Sequence, residues 1–282
     1  MISGLFDSRK YVFYDGGLGT MLQKNGLASG ERSDLMNMKA PDVVLSIQRQ
    51  YAEAGSDIIC TNSFSTCDGG LEGTGYTPEQ VAAASVDIAK RAGNGRTLTA
   101  LDVGPIGEFI EPYGDLSFEE AYDRFKAHAL AGAAAGADLA AVETMSDPEE
   151  VRAAVTAILE NTDLPVFATM TFDRTGRTFF GYSVEDFAKL AKELGCTAAG
   201  MNCSYCPADM LEAAKRFADV CELPIIIKLN AGLPDSHGAH AVGPELFAEQ
   251  MEPYKDLGVK IVGGCCGTTP DHIRALCRAF AG

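Results

Sequence analysis

One local pattern recurs often enough to limit the fold. The segments AEAGSDIICTN, AAAGADLAAVET, KELGCTAAGMNC and KDLGVKIVGGCC each run from helical residues through a glycine into a short apolar run. Those glycines, Gly55, Gly136, Gly195 and Gly258, stand where a helix can end in a left-handed residue, a conformation glycine adopts without steric penalty. Two more runs, DLPVFATMTF and ELPIIIKLN, enter through Leu-Pro, where proline closes the preceding helix. Adding YVFYDGG and RTLTALDVGP gives eight expected strands. Helical patterns such as PDVVLSIQRQYAEAG, PEQVAAASVDIAKRAG and DPEEVRAAVTAILEN alternate with them. Strands too apolar to have a solvated face, separated by helices, predict a parallel sheet covered by helices. Eight such units predict an α/β protein, a single (β/α)8 TIM barrel over residues 1–282, with an open doubly wound sheet as the second architecture. No Pro-, Ser- or charge-rich tract marks a linker.

The formal net charge of -16 argues against nucleic acid or an anionic membrane as partner, since both require a cationic face. The N-terminus has no basic segment followed by an apolar one, and ALAGAAAGADLAAVE is interrupted by Asp138, short of the ~20 apolar residues of a membrane span. A cytoplasmic location is therefore expected. In that setting the nine cysteines are expected to be packed thiols or metal ligands rather than a disulfide framework. Cys60, Cys67, Cys196, Cys221 and Cys277 read as packing.

Reacting groups of a barrel sit where the strands end. Those ends carry Asp15-Gly16-Gly17, Thr61-Asn62-Ser63, Asp102, Glu143-Thr144, Thr171-Phe172-Asp173, Asn202-Cys203, Asn230 and Cys265-Cys266. Cys203 closes the sixth strand and the cysteine doublet closes the eighth. Three thiolates match the ligand count of a catalytic zinc with one open position; the plain alternative is three buried thiols without a metal. Cys206, in C-S-Y-C, is a candidate fourth ligand or a redox partner of Cys203. Three anionic sulfurs would make the zinc a poor activator of water, but suited to a fourth sulfur whose thiol proton it removes. The chemistry implied is alkyl transfer to a thiol. Gly263, Gly264 and Gly267 are expected to relax the backbone so that adjacent cysteines can face one ion. Thr269 and Pro270 are expected to start the last helix, with Ile273, Leu276 and Cys277 facing inward.

DGGLGT (15–20), TNSF (61–64), GPIGE (104–108), ETMSD (143–147), GMNCS (200–204), NAGLP (230–234) and GGCCGTTPDHIRAL (263–276) together resemble the zinc-dependent homocysteine S-methyltransferase family. That family includes the homocysteine-binding module of cobalamin-dependent methionine synthase, the S-methylmethionine enzymes and the betaine enzyme. The resemblance implies one Zn2+ per chain on Cys203, Cys265 and Cys266, with homocysteine as the remaining ligand and methionine as the product. It implies that Asp15 and Glu143 receive the homocysteine ammonium, and that Gly16, Gly17, Thr61, Asn62 and Asn202 surround the substrate, with N–H groups near the two glycines and Thr61 holding the carboxylate.

Where the betaine enzyme has tyrosines, Ser65 and Thr144 stand here, so no aromatic cage for a quaternary ammonium is expected. DSHGAH (235–240) departs from a corrinoid-binding motif, carrying His240 at its last position, and reads as a loop; His237 and His240 are a minor candidate for a second metal site. Methylcobalamin would then be a donor carried by a separate corrinoid-binding protein, with a separate methyltetrahydrofolate-binding protein upstream. An S-methylmethionine donor is the alternative, and a non-catalytic homocysteine or zinc sensor is the alternative of another class. An exchange-active dithiol built on Cys203 and Cys206 is a third.

Overall fold

The computed structural model describes residues 2–28, 30–235, 238 and 240–281. Eight parallel strands follow in order: β1 (Val12–Phe13), β2 (Ile58–Cys60), β3 (Leu98–Val103), β4 (Leu139–Met145), β5 (Val166–Met170), β6 (Ala198–Cys203), β7 (Ile225–Leu229) and β8 (Val259–Gly264). Each pairs with its sequence neighbour from β2 to β8, and β8 returns to pair with β1. The last seam, between β1 and β2, is a single parallel bridge between Tyr14 and Ile58, flanked by Asp15 N–H to Ile58 O at 3.1 Å and Asp57 N–H to Phe13 O at 2.7 Å. The sheet thus closes into a (β/α)8 barrel, and the open doubly wound alternative falls away.

The covering helices are α1 (Ile2–Ser8), α2 (Leu18–Lys24), α3 (Met36–Lys39), α4 (Pro41–Ala54), α5 (Pro78–Gly93), α6 (Phe118–Ala134), α7 (Pro148–Asn161), α8 (Val184–Glu193), α9 (Pro207–Val220), α10 (Pro244–Met251) and α11 (Pro270–Ala281). Gly55, Gly136, Gly195 and Gly258 all have positive φ, between 70° and 115°, ahead of β2, β4, β6 and β8 as the repeated pattern predicts. None of the described helices is long and apolar enough to cross a membrane.

Side chains alternate along each strand, so every second residue points into the barrel. Val12, Ile58, Ala100, Leu139, Ala141, Phe167, Ala198, Ile226 and Ile261 belong to one apolar interior cluster. Phe6 of α1 stacks on Phe167, with ring centroids 5.9 Å apart, at the end of the barrel where the strands begin. Continuing the same alternation toward the strand ends replaces apolar residues by Asp102, Glu143, Thr169, Asn202 and Lys228, all buried. The interior is therefore apolar at one end and charged at the other, and the charged end is the one that carries the cysteines.

Candidate active site

Residues from the ends of β1, β2, β3, β4, β6, β7 and β8 line a cavity of about 210 Å3 that holds Asp15, Asp102, Glu143, Lys228 and all three strand-end cysteines. A larger groove of about 890 Å3 lies on the flank between the β2–α5 connection and α6, but it contains neither the cysteine cluster nor these charged groups. The smaller cavity is the candidate site.

Among the described residues, Cys203, Cys265 and Cys266 form the one group of metal-capable side chains whose ligand atoms gather, all within 4.8 Å of one another. The Cys203 and Cys266 sulfurs are 3.8 Å apart. Ligands about 2.3 Å from a tetrahedral zinc stand about 3.8 Å from each other, so the donor set and its spacing suit that ion. Crowding otherwise works against ionisation. At Cys266 the contact with Cys203 lowers the thiol pKa, but Cys265 and burial outweigh it and push it up to about 12. Two amides face the sulfurs: Asn230 Nδ2 lies 3.6 Å from Cys203 Sγ, and Asn202 Nδ2 lies 3.9 Å from Cys265 Sγ. Cys206 stands apart, its sulfur 3.2 Å from Asp209 Oδ2 at the start of α9. All nine cysteines are unpaired by disulfides.

The backbone carrying these groups is unusual. Thr144, Cys203 and Ser204 have positive φ of 63°, 55° and 51°, a conformation rare for side chains with a Cβ and rarest for a β-branched one. Asn202 clamps the first of them: its Oδ1 accepts the Thr144 N–H at 2.8 Å and its Nδ2 donates to Thr144 Oγ1 at 2.7 Å. A third bond, from Thr169 Oγ1 at 2.9 Å, fixes the amide orientation. Asn202 is fully buried, so the structure places it behind the cavity wall, where it holds β4 to β6.

The glycines around the doublet act differently from the sequence expectation. Gly263 and Gly264 keep ordinary φ. A Cβ on Gly264 would stand 2.3 Å from Thr268 Oγ1, and one on Gly263 would stand 2.6 Å from Tyr14 Cβ. They are required for space, not for backbone freedom; only Gly267, with φ of 81°, turns the chain. Thr268 then ties the turn together, accepting the Gly17 N–H at 3.0 Å and donating to Cys265 O at 2.7 Å. That hydrogen bond occupies the Gly17 N–H expected to hold a substrate carboxylate. Gly16 and Gly17 line the cavity, and a Cβ on Gly17 would meet Cys265 O at 2.7 Å. α11 starts at Pro270 directly after Thr269, as expected; the side-chain bonds at this start are to His272 Nδ1, which accepts the Thr269 N–H at 3.1 Å and lies 2.9 Å from Thr269 Oγ1. Ile273 and Leu276 are fully buried, while Cys277 is half-buried with its sulfur toward Gly55 O.

Thr61 and Asn62 are each tied into the surrounding protein. Thr61 is fully buried; its Oγ1 accepts the Asp102 N–H at 2.9 Å and lies 2.7 Å from Ser63 Oγ. Asn62 lines the cavity but its Nδ2 donates to Ser33 O at 2.6 Å, fastening the segment before α3. His237 lies outside the described residues, and His240 is bonded through Nδ1 to Gly232 O at 2.7 Å, against Gly267.

Sequence reading missed Lys228. It is buried on β7, its Nζ 2.5 Å from Glu143 Oε2, 4.2 Å from the centre of the Tyr14 ring and 3.6 Å from Cys60 Sγ. Burial pulls the ammonium pKa down, but Cys60, Glu143, Tyr14 and Asp15 together carry it well above the usual lysine range. The signal was available: a lysine inside the run IIIKL, whose neighbours are all buried, has no solvent face to occupy. Asp15, 2% exposed, accepts the Cys60 N–H through Oδ2 at 2.9 Å. Burial raises its pKa to about 7, against the pull of Lys228 and of the Cys60 hydrogen bond. Asp102 is raised well above the carboxylate range, first by burial and then by the Glu143 charge.

Next to this cluster His128 of α6 is buried, with Nε2 3.1 Å from Asp102 O and Nδ1 unpartnered. Burial lowers its pKa to about 4, only partly offset by the Asp102 carbonyl. A depressed folded-state pKa stabilises the fold above the unfolded value near 6.5, and this contribution, at most ~3 kcal/mol, is lost as pH falls toward 4. The ring resonances of His128 are accordingly expected to stay in the neutral form at pH 5 in an NMR titration; a midpoint near 6.5 would contradict its burial as described.

Residues 12–280 match the family model described as homocysteine S-methyltransferase. Methionine synthase of Mycobacterium leprae (strain TN) is 31% identical over 300 residues, covering 97% of this chain and 24% of that protein. The chain thus spans about a quarter of the length of that relative. Among solved structures, the metallated form of the homocysteine methyltransferase MmuM from Escherichia coli has a TM-score of 0.83 at 23% identity, covering 97% of each chain. Its oxidized form gives 0.85 at 22% identity, covering 98% of each. At such identity this likeness speaks to the fold alone.

Proposed function

This chain belongs to the homocysteine S-methyltransferase family, and we propose that it is a zinc-dependent enzyme that methylates homocysteine to methionine, with a methylcorrinoid carried by a separate protein as donor. We read residues 1–282 as one homocysteine-binding barrel domain working in the cytoplasm. The observation that carries the proposal is the gathering of Cys203, Cys265 and Cys266 at the mouth of the barrel, above a buried charged floor. A zinc held there by the three sulfurs would remove the proton of an incoming thiol and keep it as a nucleophile.

The chain's own residues supply the rest. Asn230 and Asn202 direct amide N–H groups at the cysteine sulfurs and hold them in place. Cys203 presents its sulfur from a left-handed backbone, φ 55°, at the end of β6. The charged floor suits a zwitterionic amino acid rather than a plain alkyl thiol. The substrate sulfur attacks the methyl carbon, an S–C bond forms, and the donor departs with the electron pair of the broken bond.

Two observations support a macromolecular donor. The methionine synthase relative is about four times as long as this chain. Phe109, Tyr113 and Phe179, in the loops that follow β3 and β5, are exposed, and Phe109 stacks on Phe179 with centroids 6.4 Å apart. Such rings on the face where the strands end suit a docking partner. A separate methyltetrahydrofolate-binding protein would recharge that partner.

The test is a donor panel with homocysteine as acceptor and methionine as the product measured. Methylcobalamin is expected to give methionine, and betaine to give none, because Ser65 and Thr144 offer no aromatic cage. Methionine from S-methylmethionine alone would replace the donor assignment, and inertness toward every donor would support a sensor of homocysteine or zinc.

A further inference from the structure

We infer that Arg32 is a positioning residue of the acceptor cavity: it clamps residues 32–37 onto the loop that follows β2, so that Ser33 stands as part of the cavity wall. The inference rests on the reading of that cavity as the acceptor site and deepens it. Ser33, Asn62 and Phe64 line the cavity, and none of them lies on a strand or a helix. The sheet therefore does not fix this wall, and something else has to.

The Arg32 guanidinium supplies the link. Its Nε and Nη2 donate to Asp34 Oδ1 and Oδ2 at 3.1 and 2.6 Å, and its Nη1 donates to the two Asp68 oxygens at 2.7 and 3.0 Å. Nη2 also donates to Ser65 O at 2.7 Å. Arg32 and Asp34 flank Ser33 in the chain, whereas Ser65 and Asp68 belong to the loop after β2. One side chain thus spans the seam. Arg32 is 19% exposed and Asp34 fully buried, so these charges are little screened by solvent. The neighbouring backbone is shaped around the guanidinium: a Cβ on Gly70 would stand 2.0 Å from Arg32 Nη1, and the Gly70 N–H donates to Asp68 Oδ1 at 2.7 Å.

The amides of Asn62 and Asn37 close the same seam. Asn62 Nδ2 donates to Ser33 O at 2.6 Å and to Asn37 Oδ1 at 3.2 Å, while Asn37 Nδ2 donates to Asn62 O at 2.7 Å. These uncharged bonds depend on the two segments already lying together. A planar fork that reaches two carboxylates and a carbonyl at once can bring them together, and the point charge of a lysine cannot. The consequence falls on the ligand rather than on the metal site, because Cys203 ends β6, Cys265 and Cys266 follow β8, and the clamp touches neither element. Loosening it weakens the grip on whatever part of an acceptor reaches past the sulfurs.

Calorimetric titration of the zinc-loaded protein with homocysteine and with ethanethiol, which offers the metal a sulfur and little else, tests this. In Arg32→Met, homocysteine affinity is expected to fall about 10- to 100-fold while ethanethiol binds as before. Arg32→Lys is expected to recover only part of the loss. The N–H groups of Met36 and Asn37, bonded to Ser33 O and Asp34 O, should exchange with solvent faster in Arg32→Met than in the wild type. Ser33→Met leaves the clamp in place but fills part of the cavity, and it too should weaken homocysteine and spare ethanethiol; it decides the matter should Arg32→Met fail to fold. Homocysteine binding unchanged in Arg32→Met or in Ser33→Met, or an equal loss for both thiols, overturns the inference and leaves the acceptor reading intact. A wild type that binds ethanethiol but not homocysteine overturns the acceptor reading, and the inference with it.

Discussion

Replacing Cys265 with alanine is expected to take the zinc content of the purified protein from about one per chain to near zero, with methyl transfer lost in parallel. The loss should exceed the 10- to 100-fold weakening that follows removal of a group merely supporting a ligand, about the effect foreseen for Asn230→Ala. The reason lies in the geometry. Cys265 is the sulfur faced by Asn202, and its carbonyl is bonded to Thr268, so its position is set by the same turn that places Cys266. Two sulfurs from different strands, Cys203 and Cys266, cannot complete a site that needs three. Elemental analysis of the variant decides the matter: retention of stoichiometric zinc would show that these cysteines are not its ligands. Cys206→Ala, by contrast, should keep its zinc, because that sulfur is turned toward Asp209.

Lys228→Met carries the largest expected effect on stability. The substitution preserves the volume of the stem but leaves Glu143, 9% exposed, beside Asp15 and Asp102 with no cation among them. Breaking one side of a buried pair costs about 3–5 kcal/mol, because the remaining charge stays desolvated. Chemical denaturation should report a loss of that order. Adding Glu143→Gln to the same chain should restore most of it, since the pair as a whole is close to neutral for stability while either half alone is not. A single variant within ~1 kcal/mol of the wild type would mean that the cluster is hydrated and that Lys228 does not hold its charge balance.

Much of the architecture could be read from the sequence, for local reasons. A glycine needed for positive φ is a single-residue requirement, so Gly55, Gly136, Gly195 and Gly258 marked the helix-to-strand passages directly. The cysteines were found because a strand end is a definable place. Lys228 was missed although its signal was equally local, since a charged residue in a short run is usually taken to face water. Counting by twos along each strand would have placed Asp102, Glu143 and Lys228 together inside the barrel. Other roles had no such signal. Whether Thr61 lines the cavity or braces Asp102 depends on how β2 meets β3, and whether Gly264 turns the chain or makes room for Thr268 depends on the chain folding back on itself. These are properties of packing between elements, which no single segment records.

Zinc K-edge X-ray absorption of the purified protein, with and without homocysteine, bears most directly on the central claim. Three protein sulfurs that hold the metal and present it to a substrate thiol predict about three sulfur scatterers at about 2.3 Å in the free protein and four once homocysteine is added. A protein that binds no zinc, or one whose sulfur count stays at three when homocysteine is bound, would contradict it.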